Sequence, residues 1–196
     1  MPRVSRLQTD KNRAAIEAVA VQLFQEQGID GVSVAEIMGA AGLTHGGFYG
    51  HFDSKDALAE AACFKAFEQS AARRAEKIAR HDRDPAAALA DITDIYLGSD
   101  HRDHPGTGCP ALALAGDVAR EAAGKPVRTA YVQSLKQMLA TFAELAAATS
   151  ASEPEQAAQM RLALLVGTLT LARATAGDPL SDAFLEAGRK LARKID

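Results

Sequence analysis

Apolar residues in the first part of the chain recur at intervals of three and four positions, the spacing that places side chains on one face of an α-helix. The first predicted helix, from about residue 10 to residue 27, has such a face: Ile16, Val19, Ala20, Leu23 and Phe24. Gly28 ends this helix. Ser33 and Glu36 have the spacing of a capping box, which predicts a second, short helix before a turn at Gly42.

The rest of the chain continues as helices that are separated by proline, glycine and aspartate. Asp53 and Ser54 precede a long fourth helix, and an aspartate before Pro85 and another before Pro179 indicate helix starts. The predicted segments are 55–80, 85–98, 109–122, 126–149, 154–176 and 179–194, with a loop at 98–108. No segment alternates apolar and polar residues as a half-buried strand does. We therefore predict an all-α protein of about nine helices.

Composition and charge favour a globular protein over a membrane or secreted one. The chain has 196 residues, of which 47% are hydrophobic, and a formal net charge of −3. No run approaches the roughly 20 apolar residues of a membrane span. Residues 1–8 are polar and basic, unlike a secretory signal, and two cysteines imply no disulfide framework. We expect a cytoplasmic protein without a membrane partner, and no residue pattern indicates a bound cofactor.

The segment 44-THGGFYGHF-52, here called the glycine segment, forms the third predicted helix and contains three glycines. Each glycine inside a helix costs about 1 kcal/mol relative to alanine. At about 100° per residue, Phe48 and Phe52 share one edge, which is expected to face the first two helices. The opposite side carries Gly46, Gly47 and Gly50 and is flanked by His45, Tyr49 and His51. This pattern predicts a bare outward face that another surface can approach closely.

A short helix, a glycine turn and another short helix form the helix-turn-helix pattern, whose second helix enters the major groove of DNA. The spacing alone leaves an alternative open, because glycines in a short segment also mark an ordinary loop. In that case Tyr49 and His51 are plain surface residues.

The stretch 33-SVAEIMGAAGLTHGGFYGHFDSKDALAEA-61 resembles the DNA-binding domain of the tetracycline-repressor (TetR/AcrR) family of bacterial transcriptional regulators. The resemblance is carried by the Ser-x-x-x-Ile opening, the Ala-Gly-Leu turn, the Phe-Tyr-x-His-Phe run and the Ser-Lys pair before Leu58. It covers about residues 10–60. The remainder resembles the family in size and helical layout, and residues 106–121 resemble the effector domain of one subgroup.

The resemblance implies a helix-turn-helix DNA-binding domain over residues 1–55 and an effector-binding and dimerisation domain over residues 56–196, joined through the long fourth helix. It implies a homodimeric repressor that binds a near-palindromic DNA operator and releases it when a small molecule binds. Carried over by position, the expected phosphate contacts are Thr44, Tyr49, His51 and Lys55, with Ser33 as a helix cap that can also touch a phosphate. The residues expected nearest the base edges are His45, Gly46, Gly47 and Gly50.

This sequence departs from the family pattern in its charge and in its base-reading side chains. Position 35 is alanine, where some members have a polar residue, and the glycines leave few side chains to read bases. Residues 1–55 hold five Lys and Arg against six Asp and Glu. Selectivity is therefore expected to depend on His45, backbone groups and DNA shape. Contacts to phosphates or the minor groove are expected from a basic N-terminal arm: Arg3, Arg6, Lys11 and Arg13.

The C-terminal helices supply candidates for a dimer interface and an effector pocket. The stretch 160-MRLALLVGTLTLARA-174 is apolar nearly all round, so it must be buried on most sides. A plain single-domain core would satisfy this, whereas the resemblance favours a four-helix interface between two copies. The expected interface residues are Leu165, Leu169, Phe184 and Leu191. The expected pocket, for a small apolar or aromatic effector, is lined by Phe64, Phe67, Tyr96, Cys109, Leu112, Tyr131, Met138 and Phe142.

Residues 101–109 suggest a different class of protein. His101, His104 and Cys109 share this stretch with two aspartates, a set that could hold a metal. Cys109 also precedes a helix start, where backbone N–H groups favour reactive thiolates. The alternative is thus a helical metal- or thiol-based sensor or enzyme built around this loop. No nucleophile, base and oxyanion-donor set is recognisable, so we predict neither enzymatic activity nor a metal site.

Overall fold

The computed structural model describes residues 6–82 and 84–195, and every regular element within these ranges is helical. The ten α-helices are α1 (Arg6–Gln27), α2 (Val34–Ala40), α3 (Lys55–Arg80), α4 (Pro85–Tyr96), α5 (Ser99–Asp103), α6 (Pro110–Ala113), α7 (Ala115–Arg120), α8 (Pro126–Ala148), α9 (Pro154–Ala174) and α10 (Pro179–Ala192). Two short 3-10 helices span His45–Gly50 and Pro105–Thr107. The prediction of an all-α fold is confirmed.

Individual elements differ from the sequence pattern at three places. Helix α1 begins at Arg6 rather than near residue 10, because its first turn needs no apolar face to form backbone hydrogen bonds. The predicted loop at 98–108 contains α5 and a 3-10 turn, and the predicted helix at 109–122 is divided at Leu114 into α6 and α7. These are one- or two-turn elements, which are too short for an apolar periodicity to reveal.

The chain divides into two compact units. The first unit comprises the described part of Met1–Glu68 together with Gly106–Gln133, and the second comprises Gln69–Pro105 together with the described part of Ser134–Asp196. Helices α3 and α8 have residues in both. These units are defined by backbone proximity, whereas the predicted boundary between residues 55 and 56 separates functions. That boundary therefore stays a prediction.

In the first unit, the end of α1 is hydrogen-bonded to the segment that contains α6 and α7. Gly28 ends α1 with a φ of +79°, and the next N–H, that of Ile29, donates to the Asp117 carboxylate at 3.0 Å. The buried Gln25 amide donates to the carbonyl of Gly106 at 2.7 Å. A Cβ at Gly106 would lie 2.2 Å from Oε1 of Glu26, so a larger residue there would displace this exposed side chain.

In the second unit, α9 and α10 pack against each other along their lengths. Gly188 of α10 faces Thr168 of α9 so closely that a Cβ would lie 2.6 Å from the Thr168 methyl group. At one end the Ser181 hydroxyl donates to the carbonyl of Ala172 at 2.7 Å, and at the other the buried Arg161 guanidinium donates to carbonyl oxygens at the end of α10. Among the described residues, no helix has both the length and the apolarity to cross a membrane.

Candidate nucleic-acid interface

Helix α2 and the turn that follows it are fixed by hydrogen bonds that the sequence pattern predicts. The Ser33 hydroxyl accepts from the N–H of Glu36 at 3.2 Å, and the Glu36 carboxylate accepts from the N–H of Ser33 at 2.7 Å, which completes a capping box. Gly42 has a φ of +70°, and the N–H of Leu43 donates to the carbonyl of Met38 at 2.9 Å. This Schellman-type ending sets the direction in which the chain enters the glycine segment.

The glycine segment forms a 3-10 helix rather than the α-helix used to predict its faces. The N–H of Gly47 donates to the carbonyl of Thr44 at 2.9 Å, and the N–H of His51 donates to that of Phe48 at 2.8 Å. Short helices commonly adopt this tighter winding. The two faces are nevertheless as predicted, because the burial of Phe48 and Phe52 sets the orientation: they are 1% and 3% exposed, with ring centroids 5.9 Å apart.

All three glycines of the segment are exposed, and nothing in the described part of the chain requires them. None has a positive φ. A Cβ at Gly46 or Gly50 would meet no atom within 4 Å, and one at Gly47 would make ordinary contacts of 3.7 Å with Met38 and Thr44. Neither backbone conformation nor packing therefore accounts for glycine here.

The polar side chains expected at this surface surround the glycines. Tyr49 is 71% exposed and its ring packs edge-on against Phe48, with centroids 5.3 Å apart. Ser33, Thr44 and His45 are exposed, while His51 and Lys55 are partly buried. Hydrogen bonds from Ser33 lower the pKa of the Glu36 carboxyl, and the nearby Lys55 ammonium adds to this effect. Lys55 thus contributes positive charge beside the cap of α2.

Arg13, expected in a basic arm, is instead tied to the end of the glycine segment. Its guanidinium donates a hydrogen bond to the carbonyl of His51 and lies 4.1 Å from the centroid of the Phe52 ring. The described part of the arm belongs to helix α1, so it is not an extended tail. Arg3 lies outside the described residues.

Comparisons with known proteins agree with this geometry. The family model described as "Bacterial regulatory proteins, tetR family" matches residues 16–62, which include the second half of α1, all of α2 and the glycine segment. Residues 16–62 thus have the sequence pattern of the tetR family. Over 58 residues it is 40% identical to the HTH-type transcriptional regulator AcrR of Shigella flexneri, a match that covers 30% of this chain and 27% of AcrR. The curated relative is therefore matched over about a quarter of its length.

Solved structures of tetR-family proteins and related regulators share the fold over almost the whole chain. The reduced form of E. coli NemR superposes with a TM-score of 0.81 at 21% identity, covering 94% of this chain and 96% of NemR. A TetR-family regulator from Cytophaga hutchinsonii has a TM-score of 0.80 at 21% identity, covering 100% and 98% of the two chains. The family match over residues 16–62 supports the prediction of a regulatory protein, while these solved structures show the shared fold alone.

The residues predicted to line an effector pocket are divided between the two units of the chain. The first unit holds Phe64, Phe67, Cys109, Leu112 and Tyr131, and the second holds Tyr96, Met138 and Phe142. In the first unit the rings of Phe67 and Tyr131 meet edge to face at 5.6 Å, and the Tyr131 hydroxyl donates to the carbonyl of Ala111 at 2.6 Å. Burial raises the pKa of Tyr131 to about 12, with smaller contributions from Cys109 and Cys63.

A cavity in the second unit contains none of these eight residues. It has a volume of about 200 Å³ and lies near the ends of α8 and α10, where Arg161, Arg193 and Asp94 contribute its charged groups. In the part of the second unit around Tyr96, the His101 ring packs edge-on against the tyrosine, at 4.6 Å between centroids. Burial lowers the pKa of His101 to about 4, so this imidazole is neutral.

The histidines of the 101–109 stretch form backbone hydrogen bonds. Nδ1 of His101 lies 2.8 Å from the carbonyl oxygen of Tyr96, and Nδ1 of His104 lies 2.9 Å from that of Asp100. Cys109 belongs to the first unit, whereas both histidines belong to the second. Within the described ranges, no group of three or more His, Cys, Asp or Glu side chains is placed to hold a metal. The alternative of a metal-dependent sensor or enzyme gains no support from this geometry.

Two of the four predicted interface residues are core residues of the chain itself. Leu165 and Leu169 are 0% exposed, which leaves no side-chain surface for a second copy. The reason is that α9 is covered on this side by helices of its own unit, including α10. Phe184 is partly buried and Leu191 is 52% exposed, so these two retain accessible surface. The other large apolar side chains exposed on α9 and α10 are Met160, Leu171 and Leu180, at 47–54% exposure.

Proposed function

We propose that this protein is a homodimeric repressor of the tetR family that binds a near-palindromic DNA operator through the glycine segment. The single observation that supports DNA binding most directly is the unexplained glycine face. Gly46, Gly47 and Gly50 are exposed, have no positive φ and have no neighbour that a Cβ would displace. Each of these glycines costs about 1 kcal/mol in a helix. We attribute the bare face to the close approach of a surface outside the chain.

In the proposed complex, side chains around the glycines bind the phosphate backbone, and backbone and His45 face the bases. Thr44, Tyr49, His51 and Lys55 are the proposed phosphate contacts. The Ser33 oxygen accepts the helix-capping hydrogen bond, but its hydroxyl proton remains available for a phosphate oxygen. Because Gly46, Gly47 and Gly50 offer no side chains, sequence selectivity depends on His45, backbone groups and the deformability of the operator. The proposed DNA-binding domain is residues 1–55.

The proposed dimer buries the exposed apolar side chains of α9 and α10 against a second copy. Met160, Leu171, Leu180 and Leu191 would otherwise leave about half of each side chain in water. Gly167 of α9 is exposed, and a Cβ there would meet no atom within 4 Å, which leaves room for a partner helix. Two recognition segments related by two-fold symmetry require two inverted half-sites, hence the near-palindromic operator.

The proposed effector is a small apolar or aromatic molecule that binds residues of the domain 56–196. In the first unit, Phe67, Tyr131 and Cys109 supply an aromatic and apolar group of side chains with one oriented hydroxyl. The segment after Cys109 reaches the end of α1 through Asp117, and Gln25 reaches back to Gly106. A ligand that prefers a different position of this segment would shift the orientation of α1, and operator affinity would fall by the same coupling free energy.

Selection of duplexes from random-sequence DNA with the purified full chain tests the proposal. The expected outcome is enrichment of a near-palindrome whose half-site centres lie about 34–36 Å apart, or a multiple of this. Sedimentation of the free protein is expected to give the mass of a dimer. A chain that enriches no sequence has no operator, and a stable monomer would exclude the dimer. Screening small aromatic compounds for release of the selected duplex then tests the effector class.

A further inference from the structure

Arg13 makes three contacts, two of which join the first helix to the end of the glycine segment. Its Nη1 donates a hydrogen bond to the carbonyl oxygen of His51, and its guanidinium carbon lies 4.1 Å from the centroid of the Phe52 ring. Its Nε lies 3.1 Å from Oε1 of Glu17, one turn along α1. The partners at the glycine segment are 38 positions away in sequence. The last carbonyls of a helix lack partners within it, and Arg13 supplies one.

These contacts hold His51 in place, and His51 carries the last polar side chain of the glycine segment. The backbone of His51 is held on both sides, since its N–H donates to Phe48 at 2.8 Å and its carbonyl accepts from Arg13. The His51 ring is only partly exposed, and its Nδ1 is buried without a hydrogen-bond partner among the described residues. A proton on that buried nitrogen would lack an acceptor. Because Nδ1 is buried, Nε2 is the ring nitrogen left to meet a phosphate oxygen.

The chemistry of these contacts suits a guanidinium and no other side chain. A planar group can stack on the Phe52 ring while an N–H in its plane donates to the His51 carbonyl, and a further N–H faces Glu17. A lysine ammonium is a point charge without a plane, so it cannot make all three contacts at once. A lysine would nevertheless remain an adequate partner for a phosphate if Arg13 bound DNA directly.

We infer that Arg13 is a positioning residue for DNA binding, which holds the end of the glycine segment so that His51 and Tyr49 meet the phosphate backbone. This inference rests on the proposed DNA-binding function. It replaces the expectation that Arg13, as part of a basic arm, contacts DNA itself. His51 and Tyr49 contact the DNA, and Arg13 acts by fixing the position of the segment that carries them.

The test compares Arg13→Lys and Arg13→Met in the full chain. Binding is measured by fluorescence anisotropy on the selected operator and on an unrelated duplex, over a series of salt concentrations, together with thermal unfolding of each protein. Both variants are expected to lose about tenfold in operator affinity, which is the scale of one charged hydrogen bond. The unrelated duplex is expected to lose a similar factor, because contacts to phosphates carry no sequence information. The salt dependence of Arg13→Lys is expected to match that of the unmutated protein.

Glu17→Gln is the matched control, because it removes the ion pair on α1 and leaves the contacts to His51 and Phe52 in place. It is expected to bind the operator within about twofold of the unmutated protein, since exposed pairs contribute little. Phe52→Leu combined with Arg13→Met is expected to lose less than the product of the two single losses, because the two residues share one contact.

Two results would overturn the inference. Full operator affinity in Arg13→Lys, together with a salt slope smaller by about one in Arg13→Met, would make Arg13 a direct phosphate contact. Lower thermal stability with unchanged affinity, measured well below the unfolding transition, would make its role purely structural. If the unmutated protein bound all duplexes equally, the proposed operator binding would be excluded before any Arg13 variant is measured.

Discussion

Replacing the exposed glycines with alanine separates the stability of the fold from its fit to DNA. In Gly46→Ala and Gly50→Ala, the added methyl group would meet no atom within 4 Å of the chain, and neither residue has a positive φ. Alanine also restricts the unfolded chain more than glycine does. Both substitutions should therefore leave the fold intact and make it more stable, while placing a methyl group on the surface proposed to meet the operator.

The two effects have opposite signs and comparable size. Each substitution should raise the free energy of unfolding by about 0.5–1 kcal/mol, which corresponds to a rise in Tm of roughly 1–4 °C for a chain of this length. An extra methyl group forced into a close interface costs about 1–3 kcal/mol. Operator affinity should therefore fall by about 5- to 150-fold in the same proteins that unfold at higher temperature.

Gly39→Ala is the matched control for these measurements. Gly39 lies in α2, is exposed, has no positive φ, and a Cβ there would meet no atom within 4 Å. It should gain similar stability and keep its operator affinity within about twofold, since it is not among the proposed DNA contacts. Thermal unfolding and anisotropy titrations at one salt concentration are sufficient. Unchanged operator affinity in both Gly46→Ala and Gly50→Ala would refute the close approach, and a lower Tm would refute the packing argument.

Four further outcomes are expected. Lys55→Ala should weaken binding to all duplexes and reduce the salt slope by about one, and an unchanged slope in titrations would remove Lys55 from the phosphate contacts. Leu191→Glu should convert the dimer to a folded monomer in sedimentation experiments, whereas Leu165→Ala should lower the free energy of unfolding by about 2–5 kcal/mol in denaturant. Cys109→Ser should still release DNA with a reversible ligand, and loss of release by electrophiles alone would make Cys109 the sensor. His101 has a folded pKa of about 4, below its unfolded value, so the unfolded state binds more protons and stability should fall as pH drops from 6.5 to 4, a dependence that His101→Gln should reduce.

The parts of the fold that the sequence predicts are those that depend on near neighbours. Ser33 and Glu36 form the expected capping box, and Asp84 and Asp178 cap the expected proline-led helices. The orientation of the glycine segment was also predictable, although the winding was not, because two buried aromatic residues determine which side faces inward in either type of helix. A spacing argument therefore remained correct when the assumed helix geometry was replaced by a 3-10 helix.

The sequence predicts which residues are buried more reliably than it predicts which surface covers them. The apolar character of α9 indicates that Leu165 and Leu169 are buried, and they are, but by their own chain rather than by a second copy. The pattern of apolar residues in one helix indicates how much of its surface is buried. It does not state which surface covers it, because any apolar face of suitable shape provides the same transfer free energy.

By itself, the sequence determined the helical class, the caps, the inward aromatic residues and the family resemblance, since each depends on residues within a few turns of one another. Tertiary structure alone decided that residues 106–133 fold with the N-terminal segment, that Asp117 binds the N–H after α1, and that Arg13 reaches His51 and Phe52. These contacts join residues tens of positions apart. No local periodicity encodes them, because they form only when whole helices have packed and their ends meet.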